Sequence, residues 1–342
     1  MQANPGLGRA SELGQAVLAN LATVLLGKDE TVRVVTAAAL VLAHVLLEDD
    51  PGVGKTVLAK ALARSLVGND ERARDGGPPN APPADVSGPD LRNRAWARVQ
   101  GSIDLLPSDV TGVSVYDPRT ASWDFRPGPV FHHVLLFDEI HRATPRAQAA
   151  LQEAMAERQV SVDGVTRARP HPFLVIATQN GNGDVGTFPL PSGQLDRFGV
   201  LVTLGRPERD HERRVIRGEG GETALAALAP IASTREWAAA ATAIAECFAS
   251  EPIVEYVLDI VAATRSHPDI AQGASPRAGQ SLLQLARAMA VLDGRSYVLP
   301  DDVKRVAPAT LAHRLTWTGF SQTPMAHSLV DEILRTIPAP VP

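Results

Sequence analysis

The spacing of apolar residues along this chain changes several times, and each change marks an element. The runs 44–47, 134–137 and 173–178 are short and almost continuously apolar, which predicts strands buried on both faces. Other stretches follow the helical period. Val57, Leu58, Ala61 and Leu62 share one face of a helix over 57–63, and a further helix is expected from about Glu30 to Leu42, after a turn at Gly27-Lys28-Asp29. Thr144 and Pro145 read as N-cap and first residue of a helix whose buried face carries Ala147, Leu151, Ala154 and Met155. Strict alternation returns at 113–116 and 122–125, and again at 159–162 and 165–167 around Asp163-Gly164; both patterns predict β-hairpins.

Beyond about Glu208 only helical patterns remain. The clearest opens at Ser275-Pro276, carries Leu282, Leu285, Ala286 and Met289 at i, i+3, i+4 and i+7, and ends near Asp293-Gly294; Pro300 starts another. Strands separated by helices predict an α/β fold with a central parallel sheet covered on both sides, over residues 1–207. A small all-α domain is expected over 208–342, with Gly218 to Gly221 as a hinge. Residues 68–94 fit neither pattern. Pro78, Pro79, Pro82, Pro83 and Pro89 among glycines and scattered charges predict a mobile insertion that cannot bury enough apolar surface to fold alone.

Composition narrows the function classes. The 342 residues carry 33 basic and 38 acidic side chains, a net charge of −5, and only 4% aromatics. That balance argues against a dedicated nucleic-acid binder, which needs basic surface and rings for stacking. Cys247 is the single cysteine, so no disulfide framework is expected. The N-terminus lacks the charged and apolar regions of a signal peptide, and the apolar run 34–47 is too short to span a bilayer. A cytoplasmic location is the expectation.

The chemistry begins where the first apolar run ends. Asp49-Asp50-Pro51-Gly52-Val53-Gly54-Lys55-Thr56 joins a strand to a helix through a glycine turn, an arrangement that aims backbone N–H groups at an anion. Lys55 would reach the β- and γ-phosphates of a nucleotide and Thr56 would hold Mg²⁺. The full pattern G-x-x-x-x-G-K-[ST] asks for glycine where this chain has Asp49. An acidic residue near a triphosphate costs on the order of 1 kcal/mol at a solvated edge, so weaker but surviving binding is expected. Roughly eighty residues later the strand 134–137 delivers Asp138 and Glu139 at its C-terminal end, the edge at which open α/β sheets bind ligands. Asp138 could hold Mg²⁺ and Glu139 could polarise an attacking water. Asn180, after the third strand, could orient that water, while Arg197 and Arg277 could supply positive charge. His132-His133 lacks a partner at ligand spacing and is read as structural.

Longer stretches of wording carry a family resemblance. Asp104-Leu105-Leu106-Pro107-Ser108-Asp109-Val110-Thr111-Gly112, Phe125-Arg126-Pro127-Gly128-Pro129, Ala177-Thr178-Gln179-Asn180, Gly186-Thr187-Phe188-Pro189-Leu190-Pro191 and Gly273-Ala274-Ser275-Pro276-Arg277-Ala278 occur in the order and spacing of the MoxR family of AAA+ ATPases, which the chain resembles over nearly its whole length. The resemblance implies a Walker A loop from Pro51 to Thr56, a Walker B pair at Asp138 and Glu139, a sensor-1 residue at Asn180, an arginine finger at Arg197 and a sensor-2 residue at Arg277. It also implies ATP hydrolysis with Mg²⁺, a ring that is usually hexameric, hairpins facing a pore or substrate, and chaperone-like work on protein complexes. Partners with von Willebrand A-type domains are common in that family. Two other readings of the same residues are a DNA-remodelling motor, which the acidic balance disfavours, and a scaffold that binds ATP to assemble but scarcely turns it over.

Overall fold

The computed structural model describes residues 5–66, 96–181, 186–318 and 323–340; the expected insertion at 68–94 lies outside the described residues. Helices α1 (Pro5–Val24) and α2 (Asp29–Leu40) lead into strand β1 (Val45–Glu48), and α3 (Lys55–Leu66) follows. Next come β2 (Trp96–Gln100), α4 (Pro107–Thr111), β3 (Gly112–Asp117), β4 (Ser122–Pro127), β5 (Val134–Asp138), α5 (Pro145–Glu157), β6 (Gln159–Val162), β7 (Val165–Ala168), β8 (Leu174–Gln179), α6 (Ser192–Leu195) and β9 (Val200–Val202). The remainder is mainly helical: α7 (Arg209–Ile216), α8 (Gly221–Ala227), α9 (Thr234–Ala245), α10 (Glu251–Ser266), α11 (Pro276–Leu292), α12 (Pro300–Leu311) and α13 (Thr323–Thr336), with β10 (Ile270–Gln272) and β11 (Thr316–Trp317) paired antiparallel.

Five strands form one all-parallel sheet in the order β2-β5-β8-β1-β9. Its alternating side chains feed two cores. Leu135 and Phe137 of β5 join Val175 and Ala177 of β8 and the α5 residues Leu151 and Ala154 on one face. Val134 and Leu136 join Ile176, Leu58 and Leu62 on the other. Burial on both faces explains why these strands read as continuous apolar runs; each large side chain so buried contributes about 1.5–3 kcal/mol.

The helices after residue 208 do not stand apart. They share the buried cluster of α1, α2 and α3, Trp237 on α9 donates its indole N–H to the Ala39 carbonyl at 2.8 Å, and Gly14 lets α1 lie directly on α11, since a Cβ there would meet Leu292 Cδ2 at 2.4 Å. The result is a sheet domain followed by a helical lid against one of its faces.

Local signals read from the sequence mostly match. Thr144 caps α5 by accepting from the Ala147 N–H at 3.3 Å, and Asp163 and Gly164 take the positive φ values, 55° and 76°, that a two-residue hairpin turn requires. Differences lie at ends and edges. Helix α2 stops at Leu40, short of the expected Leu42, because Leu42 turns the chain at φ 59° to start β1. Strand β9 has three residues, too few to establish a period. The glycines at 218, 220 and 221 form the turn between α7 and α8. Among the described residues, no helix is long and apolar enough to cross a membrane.

Candidate nucleotide site

Strands of one parallel sheet all end at the same edge, so residues following β1, β5 and β8 must converge there. Pro51, Gly52, Val53 and Gly54 form the turn from β1 to α3, with Gly52 at φ 86° and Gly54 at φ 100°. A Cβ at Gly52 would meet nothing within 4 Å, so conformation rather than crowding demands glycine at that position. Asp49 is absent from the residues of positive φ. A side chain at that position is therefore unstrained, and its carboxylate is engaged by the backbone: Oδ1 accepts from the Asp50 N–H at 2.8 Å and Oδ2 from the Gly205 N–H.

Lys55 is buried at the first turn of α3. Its ammonium donates to the Asp49 carbonyl, to the Asp50 carbonyl at 3.0 Å and to Asn180 Oδ1 at 3.1 Å. Burial lowers its pKa from the ordinary lysine value, and the carboxylates of Asp49, Asp50, Glu139 and Asp138 oppose that shift. Four neighbouring acids thus favour the charged form of a group whose surroundings disfavour it.

Asp138, 3% exposed, is the centre of the arrangement. Thr56 Oγ1 lies 3.1 and 3.2 Å from its two oxygens, Thr178 Oγ1 donates to Oδ1 at 2.8 Å, and Arg98 on β2 donates twice to Oδ2, at 2.6 and 3.0 Å. A threonine hydroxyl beside a carboxylate is the hard-oxygen donor set that Mg²⁺ prefers, and the open glycine turn next to Lys55 fits a triphosphate. Glu139 adopts a left-handed conformation, φ 52° and ψ 50°. Such a conformation is uncommon for a residue with a side chain and needs support from its surroundings. That support comes from its N–H, which donates to Thr178 Oγ1 at 2.9 Å, and from its carboxylate, which accepts from Gln100 Nε2 at 2.9 Å and faces Arg142 Nε at 3.5 Å. Gly101 permits this packing, because a Cβ there would lie 2.1 Å from the Glu139 carbonyl oxygen.

Arg197 and Arg277 are elsewhere. Both line a cavity of about 430 Å³ whose wall includes His44 and Phe173, just before β1 and β8, so it opens at the opposite edge of the sheet. A strand of four to six residues separates the edges by about 13–20 Å. Five arginines, Arg158, Arg169, Arg197, Arg277 and Arg314, line this cavity with one acidic residue, Asp196. Arg314 pairs with Asp196 at 3.4 Å, and Arg197 donates to the Gln152 carbonyl at 2.6 Å. Arg158 and Arg277 have no carboxylate partner among the described residues. Burial, then repulsion from Arg158, lowers Arg169 to about 10; burial lowers Arg314 to about 10 as well, with Asp196 opposing and Arg277 reinforcing. His44 is pushed down to about 3 by burial and then by Arg169, so it is neutral, with Nδ1 accepting from the Val175 N–H at 3.1 Å.

Sequence reading named Lys55, Thr56, Asp138, Glu139, Asn180, Arg197 and Arg277 as one phosphoryl-transfer set; the structure brings the first five together at one edge and gathers Arg197 and Arg277 at the other. Sequence reading missed Arg98, Gln100 and Thr178. The first two alternate on β2 and so share a face, a signal that becomes meaningful only once β2 is known to pair with β5. His132 and His133 bond through Nδ1 to the carbonyls of Pro129 and Pro172, at 3.1 and 2.8 Å. No group of three or more His, Cys, Asp or Glu among the described residues could hold a metal.

The chain is similar to known proteins over most of its length. Residues 91–200 match the model of the ATPase family associated with various cellular activities, and residues 262–337 match an AAA lid domain. The chain is 38% identical to the uncharacterized protein YeaC of Bacillus subtilis, over 99% of this chain and 96% of that protein. It is 34% identical to chaperone MoxR1 of Mycobacterium tuberculosis, over 93% of this chain and 80% of that protein. A crystal structure of a proposed ATPase from Cytophaga hutchinsonii superposes with a TM-score of 0.81 at 28% identity, covering 99% of this chain and 98% of the other. With a parallel sheet, a helical lid, and relatives above 30% identity along most of its length, the chain belongs to the MoxR family of AAA+ ATPases.

Proposed function

We propose that the chain binds ATP with Mg²⁺ at the Lys55–Asp138 edge, hydrolyses it between adjacent copies of itself, and uses the cycle to remodel or mature protein complexes. The observation that carries this reading is the division of charge: one edge has a glycine turn with its acids and lysine already interlinked, and the other has five arginines lining a cavity with one aspartate. One copy's Arg197 and Arg277 would then reach the nucleotide held by the next copy, which a closed ring, usually a hexamer, allows through a repeated head-to-tail interface.

Within the site, Pro51 to Gly54 would wrap the phosphates with backbone N–H groups, and Lys55 would exchange its carbonyl partners for phosphate oxygens. Thr56 and Asp138 would hold Mg²⁺, which when bound supplies positive charge to the β- and γ-phosphate oxygens. Glu139 would accept the proton of the attacking water, after leaving Gln100, and Asn180 would orient that water. Residues 1–207 and 208–342 would act as nucleotide domain and lid, their relative closure transmitting the cycle to a client, for which a von Willebrand A-type partner is one chemical form. A reducing, cytoplasmic compartment suits the single buried, unpaired Cys247.

Three proteins test the scheme by nucleotide binding and phosphate release. Glu139→Gln is expected to bind ATP yet hydrolyse it about 10²–10⁴-fold more slowly, and Lys55→Ala to lose nucleotide binding. Mixing Lys55→Ala with Arg197→Ala subunits one to one should restore about a quarter of the ring interfaces, since only an intact loop facing an intact arginine is complete. Unchanged turnover in Glu139→Gln and Lys55→Ala, or no recovery on mixing, would overturn it.

A further inference from the structure

Asp49 stands where the nucleotide-loop pattern has glycine, and its surroundings give that difference a use. Its carboxylate Oδ2 accepts from the backbone N–H of Gly205, 156 positions away in the sequence. Gly205 belongs to the segment that leaves β9 and enters α7, the first helix of the C-terminal region. Two further bonds hold this segment, Lys28 Nζ to the Arg206 carbonyl at 2.7 Å and Thr31 Oγ1 to the Thr203 carbonyl at 3.3 Å, and both come from the start of α2. The Asp49 bond therefore differs in kind, because it comes from the loop that surrounds Lys55.

That loop is directly linked to the lysine. Lys55 donates to the backbone carbonyl of Asp49 itself, so the residue that contacts Gly205 through its side chain contacts the phosphate-binding amine through its main chain. Any anion that draws the Lys55 ammonium away frees this carbonyl, while the Asp49 N–H still donates to the Gln179 carbonyl at 3.3 Å. A turn of the freed carbonyl about that anchor would carry the carboxylate on the same residue relative to Gly205. Gly205 is suited to respond: it has φ 62°, and a Cβ at this position would find only Lys28 Nζ, at 3.9 Å, so the peptide lies in open surroundings.

We infer that Asp49 is a positioning residue that couples occupancy of the nucleotide loop to the segment 203–206 at the entry to the lid, a part that the pattern's glycine could not play. The inference rests on the ATP-binding reading above. A glycine at 49 would leave the Gly205 N–H and the Asp50 N–H without their acceptor, whereas asparagine would keep one acceptor oxygen and remove the charge.

Amide hydrogen exchange on the full chain, with and without a non-hydrolysed ATP analogue plus Mg²⁺, separates the possibilities. In the unaltered protein, the Gly205 amide is expected to be protected, and the analogue to change exchange across 203–206. Asp49→Gly should speed Gly205 exchange about tenfold, the equivalent of one charge-assisted hydrogen bond, and abolish the response of 203–206 to the analogue while the analogue still binds. Asp49→Asn should restore part of that response, which a merely structural role for the carboxylate would not require. If Asp49→Gly binds the analogue and its segment responds as in the unaltered protein, the coupling is refuted and the ATP reading stands. If the unaltered protein binds no analogue, both fall.

Discussion

The two edges of the central sheet solve opposite electrostatic problems. At the C-terminal edge, charge is balanced within the chain: Lys55 is surrounded by Asp49, Asp50, Glu139 and Asp138, and Asp138 holds Arg98 at 2.6 Å. At the other edge, five arginines meet one aspartate around the cavity, and burial and mutual repulsion lower Arg169 and Arg314 to about 10. Even so lowered, Arg169 and Arg314 keep their protons at neutral pH, and the cavity stays cationic. On the proposed reading each edge would be half of a site, and the two halves would meet when a second copy brings its nucleotide-holding edge against the arginines of the first.

The largest test of that contrast is Arg197→Ala. Turnover is expected to fall about 10³-fold or more, while an unassembled subunit binds ATP as before; Arg277→Ala should act in the same direction, and equal loss of nucleotide affinity in unassembled subunits would place both arginines at their own chain's loop. Smaller and confined to the other edge is Thr178→Val. Its hydroxyl donates to Asp138 and accepts from the Glu139 N–H, so the variant leaves a left-handed residue without its main support and should lose about 1–3 kcal/mol of stability by urea unfolding. An unchanged midpoint would mean that Glu139 is held by Gln100 and Arg142 alone.

The smallest effect concerns pH. His44 beside the arginine cavity and His313, which bonds the Phe198 carbonyl at 3.0 Å, are both pushed down from 6.5 to about 3, chiefly by burial and then by neighbouring arginines. The unfolded chain therefore binds more protons than the folded one between those values. Stability is full above about 6.5 and declines as pH falls toward 3, with a loss of about 1 kcal/mol expected between pH ~7 and ~6. Thermal unfolding at fixed ionic strength checks the sign; a flat profile would show that these rings are not held neutral.

Much of this was legible along the chain. The strand, glycine turn and helix start around Lys55, the Asp138-Glu139 strand end, the Asp163-Gly164 turn and the Ser275 cap of α11 are local: each is a few consecutive residues whose types answer a backbone requirement at the same place. Pairings across the sheet were not legible. Arg98 and Gln100 acquire meaning because β2 lies beside β5, bringing Arg98 to Asp138 across 40 positions, and strand β9 is too short to announce itself.

Asp49 and the two arginines draw the line most sharply. Sequence by itself determined that a phosphate-type loop, an acidic strand end and two arginines exist, since these follow from residue type and local period. Tertiary structure decided where their side chains go: Asp49 to the Gly205 N–H, and Arg197 with Arg277 to the opposite edge of the sheet. The physical reason is that a parallel sheet assigns residues to one edge or the other by which end of a strand they follow, and that assignment depends on packing between distant segments rather than on any neighbour in the chain.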